Sequence, residues 1–416
     1  ELEIALTSRD GKKKEAIPLA GIPYHAAPNY LAKFLEKGYK VAICEQTGEA
    51  GKGKGLVKRE VTRVITPGTI VEEDLLQKEY NNYLAAIARE NNNFGLALVD
   101  ISTGEIQSFV YKGDENNNPA AQIFDQLSQL KPAEIILEDS LPQSLPTLFK
   151  LNKQKNFTLI NKKTLALGNP EAAWAALEEQ LPAELLQKSG LQDCRIATFA
   201  VALAIKYILK MQQGSLAHIH SLQLHKPAEA LFLDAITVRN LEVFEALYTG
   251  EKKDSLWGVL NRTKTAMGAR LLRRWLERPL LEREALTLRW NAVEELKNKQ
   301  LLKDDLAGLL RQCYDLERLS GKISLGYVNP RDLLALKKTL LLLPQVKQIL
   351  QQTEAGQFKY LEAQIPVLTA LSEKLDLAIS DEAPPALKEG GIFKEGYHPA
   401  IDELRQITKN SKLWLL

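Results

Sequence analysis

The sequence predicts a multidomain chain in which a small α/β domain and a larger α/β domain are followed by an all-α region. Three observations carry that prediction. Apolar residues alternate at the strand period in short runs before residue 160. Helix-spaced runs are interleaved with those strands up to residue 212, the order that layered α/β domains produce. From Gly214 onward almost every periodic segment has apolar residues three and four apart. A chain of 416 residues has room for about two to four domains.

Residues 1–75 form the first predicted domain. Leu2, Ile4 and Leu6 alternate as in a strand, and Asp10-Gly11 supplies a turn. Pro28-Asn29 opens a helix with Leu31, Phe34 and Leu35 on its apolar side, and Gly38 ends it. A strand from Lys40 to Cys44 leads into a Gly/Lys loop, Gly48 to Gly55. A second strand, Leu56 to Ile65, runs into Thr66-Pro67-Gly68-Thr69.

Residues 76–212 form the second. Leu84 to Ala88, Gly95 to Asp100 and Ile106 to Tyr111 read as a meander, separated by Asn91-Asn92-Asn93 and Ser102-Thr103-Gly104. Ala120 to Leu130 is helical, Glu134 to Leu137 and Phe157 to Ile160 are short strands, and Trp174 to Leu186 and Ile196 to Met211 are helical again.

Residues 213–416 form the helical region. Leu241, Phe244, Leu247 and Tyr248 recur at helix spacing and are expected in the core. Asp254-Ser255 caps a short helix carrying Leu256, Val259 and Leu260. The next helix has Met267, Leu271, Leu272, Trp275 and Leu276 as its apolar stripe, with Arg270, Arg273 and Arg274 beside it, and stops at Pro279. Further stripes are Leu286, Trp290, Val293 and Leu296, then Leu306, Leu309, Leu310, Cys313 and Leu316. Asn329-Pro330-Arg331-Asp332 is a helix start: Asn caps, Pro needs no N–H in the first turn, and Asp favours the dipole. Gly390-Gly391 breaks the run, and Pro399 begins a last helix bearing Ile401, Leu404 and Ile407.

Composition excludes more than it assigns. Hydrophobic residues make up 45% and charged residues 25%, as in ordinary globular proteins, and the longest apolar runs, such as Leu340 to Leu343, are too short for a bilayer span. Three distant cysteines, Cys44, Cys194 and Cys313, have no metal or redox spacing; they are read as free and buried in a reduced, cytoplasmic setting. The net charge of +2 matters less than its placement. Between Gly51 and Arg63 stand Lys52, Lys54, Lys58, Arg59 and Arg63 against the single acid Glu60. Such a loop can touch a phosphate backbone without reading bases, so Lys54, Lys58 and Arg63 are candidate contacts on charge alone. The chain starts within an alternating run and stops within a helical one, and is read as part of a longer protein.

Three apparent sites are set aside. Gly48-x-x-x-x-Gly53-Lys54 follows a strand like a phosphate-binding loop, but Gly55 stands where Ser or Thr must reach magnesium, and a strand follows where a helix is needed. Asp100, with Asp114, Glu134 and Asp139, could imitate nuclease metal ligands; Asp100 before a turn fits local hydrogen bonding better. His218-x-His220 lacks a third ligand, and a structural role is expected for both.

One stretch carries a specific resemblance. Asp234-x-x-Thr237-x-Arg239-Asn240-Leu241-Glu242, followed by Thr263-x-Thr265-x-Met267-Gly268-x-Arg270-Leu271-Leu272-Arg273-x-Trp275-Leu276-x-x-Pro279-Leu280, closely resembles the core-domain signature of the MutS family of DNA mismatch repair proteins. Gly21-Ile22-Pro23-Tyr24-His25, Val41-Ala42-Ile43-Cys44-Glu45-Gln46 and Thr66-Pro67-Gly68-Thr69 resemble the family's mismatch-binding domain, in its order. The resemblance implies a mismatch-binding domain without its first segment at 1–75, a ribonuclease H-like connector at 76–212, and a helical core or lever domain at 213–416 ending where the clamp arm begins. It implies that Ser8, Arg9 and Arg59 contact DNA backbone. The family reads mismatches with a Phe-x-Glu element that would lie upstream of residue 1. Phe34-x-Glu36 is not that element, since Phe34 belongs to the apolar side of its helix.

The whole family member would be an ATP- and Mg2+-dependent homodimeric clamp that binds mismatched or looped duplex, recruits MutL and works in the bacterial cytoplasm on the nucleoid. Its nucleotide domain would lie beyond residue 416, so this chain is expected to bind no cofactor or metal and to have no catalytic residue. The arginines at 270 to 274 are expected to brace helices and acids such as Glu277. Rival readings are a recombination relative that shares the helical core, a ribonuclease H-like nuclease, and a helical scaffold without DNA affinity.

Overall fold

The computed structural model describes residues 4–8, 18–23, 26–46, 58–113, 118–138, 157–160, 169–212, 214–225 and 230–410 except 232, with the single positions 2, 165 and 167. The chain divides into two compact units. One comprises Glu1–Ala228, Phe232–Gly258 and Ser320–Leu325; the other comprises Glu229–Leu231, Val259–Leu319 and Gly326–Leu416. Among the described residues no helix is long and apolar enough to cross a membrane.

The first unit begins with two short antiparallel pairs. Strands β1 (Thr7–Ser8) and β2 (Pro18–Leu19) pair over two residues only. Leu2, Ile4 and Leu6 therefore do not form the expected longer strand: Pro18 has no N–H to give the ladder, and Leu6 is exposed. Helix α1 (Ala27–Glu36) starts with Pro28 in its first turn and ends before Gly38, whose φ of 82° suits glycine. Strands β3 (Val41–Gln46) and β4 (Arg59–Ile65) make a ribbon whose inner end joins Leu35, Ile65, Ile70 and Leu76 in a small core.

The same unit holds a six-stranded sheet. Its strands are β5 (Leu84–Glu90), β6 (Asn93–Asp100), β7 (Glu105–Tyr111), β8 (Glu134–Glu138), β9 (Phe157–Ile160) and β10 (Ser221–His225), in the order β10-β7-β6-β5-β8-β9. The meander β5-β6-β7 is antiparallel, and β8 and β9 add parallel to β5, as β10 does to β7. Helix α2 (Pro119–Leu130), capped by Asn118, lays Ile123 and Leu127 on one face, against Ile87, Leu96, Leu98, Ile135 and Leu137. Helices α3 (Pro170–Glu178) and α4 (Ala183–Lys188) replace the single helix expected at 174–186, because Pro182 cannot continue a helix. Helix α5 (Arg195–Met211) is buried along most of its length and packs on β5 and β6. Its first turn comes so close that a Cβ on Gly95 would sit 2.4 Å from the Ile196 carbonyl oxygen, so glycine is required there. Strand β10 interrupts the region read as all-helical from Gly214.

After β10 the chain turns helical. Asp234 caps α6 (Ala235–Asn240) by accepting from the Thr237 N–H at 2.6 Å. That helix stops early. Glu242 has a φ of 49°, which turns the chain out of helix, so the expected face from Leu241 to Tyr248 does not form. Phe244 is buried as expected, together with Val243, while Leu241, Leu247 and Tyr248 are exposed, Tyr248 at 99%. In α7 (Leu256–Leu260), entered through Ser255, the buried residue is Trp257; Leu256, Val259 and Leu260 face outward.

The second unit is helical among its described residues. It contains α8 (Ala266–Glu277), α9 (Arg283–Asn298), α10 (Gln300–Leu310), α12 (Pro330–Gln351), α13 (Gly356–Gln364), α14 (Thr369–Ala378) and α15 (Pro399–Lys409), with the first turn of α11 (Leu316–Ser324). Asn329 and Asp332 form the full capping box that the sequence predicts for α12. One core gathers Ala292, Val346, Leu350 and Phe358, and a second gathers Leu334, Ala378, Ile379 and Ala383. The inward face of α9 is thus Ala292 and Leu296, while Trp290 and Val293 of the predicted stripe are exposed. In α15 Leu404 is likewise exposed.

Candidate nucleic-acid interface

The ribbon β3–β4 carries Arg59 and Arg63 of the basic residues that the sequence singled out, and Lys58 immediately precedes β4. Its register runs from Val41 opposite Ile65 at the buried end to Gln46 opposite Arg59 at the outer end. Thr62 is an extra residue on β4, and its Oγ1 donates to the Ile43 carbonyl at 3.3 Å. Such a bulge strengthens the local twist and re-aims the strand beyond it.

These three cations have different surroundings. Arg59 is exposed, and among the described residues its side chain has neither hydrogen bond nor ion pair. Lys58 is exposed and forms an ion pair with Glu60. Arg63 lies lower on the ribbon, half-buried, with its Nη2 2.5 Å from Glu72 Oε1, so its charge is already answered. Ser8 lies in β1 by its backbone; its side chain, together with Arg9 and Lys54, lies outside the described residues, as does the Gly48 to Gly55 loop. The structure therefore brings Lys58 and Arg59 together at the ribbon's outer end. Glu45 sits opposite Glu60 there, so the field is mixed. An exposed guanidinium at a strand end can release phosphate counterions, and it selects no base by doing so.

The ribbon's inner end is fastened to the sheet by a buried carboxylate. Glu134 opens β8 and is 1% exposed. Its Oε1 accepts from Tyr207 Oη at 2.5 Å and from Thr158 Oγ1 at 3.3 Å, with Lys40 Nζ at 3.3 Å. Its Oε2 accepts from Thr66 Oγ1 and from the Gly68 N–H at 3.3 Å. Lys40 Nζ also donates to Thr158 Oγ1 at 2.7 Å and Tyr207 Oη at 2.9 Å. Burial, then the charge and hydrogen bond of Glu134, push the Tyr207 hydroxyl far above the usual phenol range, so it stays a donor. Thr66 and Thr69 cap each other's turn, and Gln212 Nε2 donates to the Thr69 carbonyl.

Other residues raised by the sequence have local roles. Asp100 accepts from the Asn82 and Ser102 N–H groups at 3.0 Å, from Asn81 Nδ2 at 2.9 Å and from Ser102 Oγ at 2.7 Å, which braces the turn after β6. Asp114 and Asp139 lie outside the described residues. Among the described residues no three His, Cys, Asp or Glu are grouped to hold a metal ion. His218 is buried in the approach to β10, with Nε2 2.8 Å from the Ile101 carbonyl oxygen, and burial lowers its pKa. Phe34 is half-buried, edge-on to Tyr39 with ring centres 5.9 Å apart, and Leu35 is the residue of that helix that reaches the core. The cysteines are free, as expected, but not buried: Cys44 is exposed on β3, and Cys194 and Cys313 are half-buried.

The arginine row of α8 is structural. Arg270, 1% exposed, places Nη1 and Nη2 each 2.8 Å from Asp315, and Nη2 2.6 Å and Nε 3.2 Å from Glu317. Burial works against its charge, yet these carboxylates outweigh burial and hold its pKa above the ordinary arginine value. Arg273 Nε lies 2.8 Å from Glu277. Sequence reading missed the partners of Glu134, which are scattered from Lys40 to Tyr207; the one signal was a charged residue heading a strand whose middle is the apolar run Ile135-Ile136-Leu137.

Family models match nearly the whole chain in three consecutive blocks: MutS domain I over residues 1–74, MutS domain II over 82–220 and MutS domain III over 236–413. The chain is 42% identical over 416 residues to the DNA mismatch repair protein MutS of Symbiobacterium thermophilum, an alignment covering 100% of this chain and 47% of the relative. It is 39% identical over 415 residues to the corresponding protein of Caldanaerobacter subterraneus subsp. tengcongensis, and 40% identical over 420 residues to that of Pelotomaculum thermopropionicum, again with 100% and 47% coverage. The chain thus spans about half the length of these curated relatives.

Proposed function

The chain belongs to the MutS family, and on that premise we propose that it works in DNA mismatch repair by holding duplex DNA that carries a mismatch or small loop. The observation that carries this reading is the run of three MutS domains in order, aligned end to end with proteins named for mismatch repair. Domain I supplies contacts to the DNA backbone, with Arg59 and Lys58 at the ribbon's outer end, and Ser8, Arg9 and Lys54 as further contacts. Arg63 contributes less, because Glu72 answers its charge. The presence of domain I speaks against a recombination relative that has only the helical core.

We read the connector as ribonuclease H-like. Its support is the strand order, in which an antiparallel meander is extended by two strands parallel to the first. The role assigned to it is a spacer, since both oxygens of Asp100 are engaged in bracing a turn. In the whole protein this chain would serve a homodimeric, ATP- and Mg2+-dependent clamp that recruits MutL in the bacterial cytoplasm. The chain itself is assigned DNA contact and the coupling of domains, and no ATP turnover.

Fluorescence anisotropy with a labelled duplex tests the reading. The chain is expected to bind in a salt-dependent manner, and about equally to matched and G·T-mismatched duplex, because Phe34 packs on Tyr39 and is not a reading wedge. Absence of salt-dependent binding would refute a DNA-holding role. Metal-dependent cutting of the duplex would instead favour the nuclease.

A further inference from the structure

We propose that Glu134 is an interdomain latch, a positioning residue that fixes the ribbon domain on the connector sheet and so sets where Arg59 and Lys58 point. A carboxylate taken out of water must be met by hydrogen bonds and an opposite charge, or it is strongly destabilising. Glu134 meets that condition with donors from both sides of the domain junction. Tyr207 and Thr158 belong to the sheet domain. Lys40, Thr66 and Gly68 belong to the ribbon domain and the turn that leaves it. The two oxygens divide the work. Oε1 is shared by Tyr207, Thr158 and Lys40, while Oε2 is given wholly to the turn at Thr66 to Gly68.

The surrounding geometry makes this arrangement specific. Lys40 immediately precedes β3, and Thr66 immediately follows β4, so the latch grips both strands of the ribbon at its inner end. Gly68 approaches so closely that a Cβ would lie 2.7 Å from Leu84 Cδ1 and 2.9 Å from Glu134 Cβ. Gln212, just after α5, holds the same turn through the Thr69 carbonyl. A buried ionic cluster that joins two layers defines one orientation, because any rotation of the ribbon strips Glu134 of Lys40, Thr66 and Gly68 and leaves its carboxylate with Tyr207 and Thr158 alone.

The distance arm of the test is independent of the DNA-binding reading; the affinity arm rests on it. Spin labels are placed on the exposed Cys44 of β3 and on Lys112→Cys beyond β7, in the full chain with Cys194→Ala and Cys313→Ala, and the distance distribution is measured by double electron–electron resonance. Glu134→Gln keeps the shape and removes the charge. Lys40→Met keeps the stem and removes the ammonium. Each is expected to broaden the distribution relative to the parent, and the double variant to broaden it no further than either single one, as for members of one network. Circular dichroism verifies folding, and if Glu134→Gln does not fold, Lys40→Met decides. Unchanged distributions in both folded variants overturn the latch. In the affinity arm, Glu134→Gln is expected to weaken duplex binding at least about fivefold, the lower end of ordinary coupling between sites. A broadened distribution with unchanged affinity overturns the link to Arg59 and Lys58. A parent that binds no DNA fails the functional reading alone, and the distance arm still decides the latch.

Discussion

Replacing Arg270 with Met should loosen the second unit more than removing any exposed apolar residue of the same helix. The guanidinium is 1% exposed and meets Asp315 with two bonds of 2.8 Å, while Asp315 is itself 9% exposed. Taking away one member of a buried pair leaves the other charged and dry, which costs about 3–5 kcal/mol. Glu317 is 26% exposed and can turn towards water, so its lost bond adds no more than about 1 kcal/mol. The expected loss is therefore about 4 kcal/mol. Arg270→Lys keeps the charge but loses the fork that matches Asp315, and should fall between the two. A chain with several domains does not unfold in one step, so the readout is hydrogen exchange of the α8 amides rather than a single denaturation midpoint. At 1.4 kcal/mol per factor of ten, α8 opening should rise by between two and three orders of magnitude. Leu271→Ala, on the exposed side of the same helix, should change it little. A partial recovery in Arg270→Met/Asp315→Leu would show that an uncompensated charge, not a cavity, causes the loss. If Arg270→Met exchanges within about threefold of the parent, the buried-pair reasoning is wrong.

Two further outcomes are expected. Hydrogen bonds from Lys337, supported by Lys394, hold the Asp376 and Asp381 carboxyls below their usual range. A lowered folded pKa means that the unfolded chain takes up the proton first, so this contribution is whole above about pH 3.9 and fades as the pH falls through the lower folded values. Asp376→Asn/Asp381→Asn should accordingly flatten the acid limb of the second unit's stability curve below about pH 4, and an unchanged limb would contradict the sign. Gly95→Ala forces a Cβ against the Ile196 carbonyl oxygen, and hydrogen exchange of the β6 amides should show a loss of about 1–3 kcal/mol; a stabilised variant would mean that α5 can retreat from β6.

What was legible in the sequence was mostly local. Asn329 and Asp332 cap α12 because capping depends on four neighbouring residues, and the meander β5-β6-β7 follows from alternation and turn residues within one stretch. Gly390 and Gly391 both adopt positive φ where the helical run was expected to break. The failures were tertiary. Leu241 to Tyr248 has helix spacing, but the left-handed Glu242 ends the helix, a backbone event that periodicity does not register. Arg270 braces acids as the sequence predicts, but which acids was not legible, because Asp315 and Glu317 lie more than forty residues away. Glu134 imitated a nuclease ligand for the same reason: its donors come from four separate segments that meet only in the fold. At the ribbon, the sequence placed Arg59 and Arg63 on a strand but could not tell exposed Arg59 from Arg63, which Glu72 neutralises.

The most direct test of DNA contact at the ribbon is the salt dependence of duplex affinity for the parent chain and for Arg59→Gln. Each phosphate neutralised contributes about −0.9 to the slope of log affinity against log salt. Arg59→Gln should make the slope shallower by about that one contact, while Arg63→Gln, whose charge is already paired with Glu72, should move it much less. Identical slopes for the parent and Arg59→Gln would contradict the placement of DNA at the ribbon's outer end.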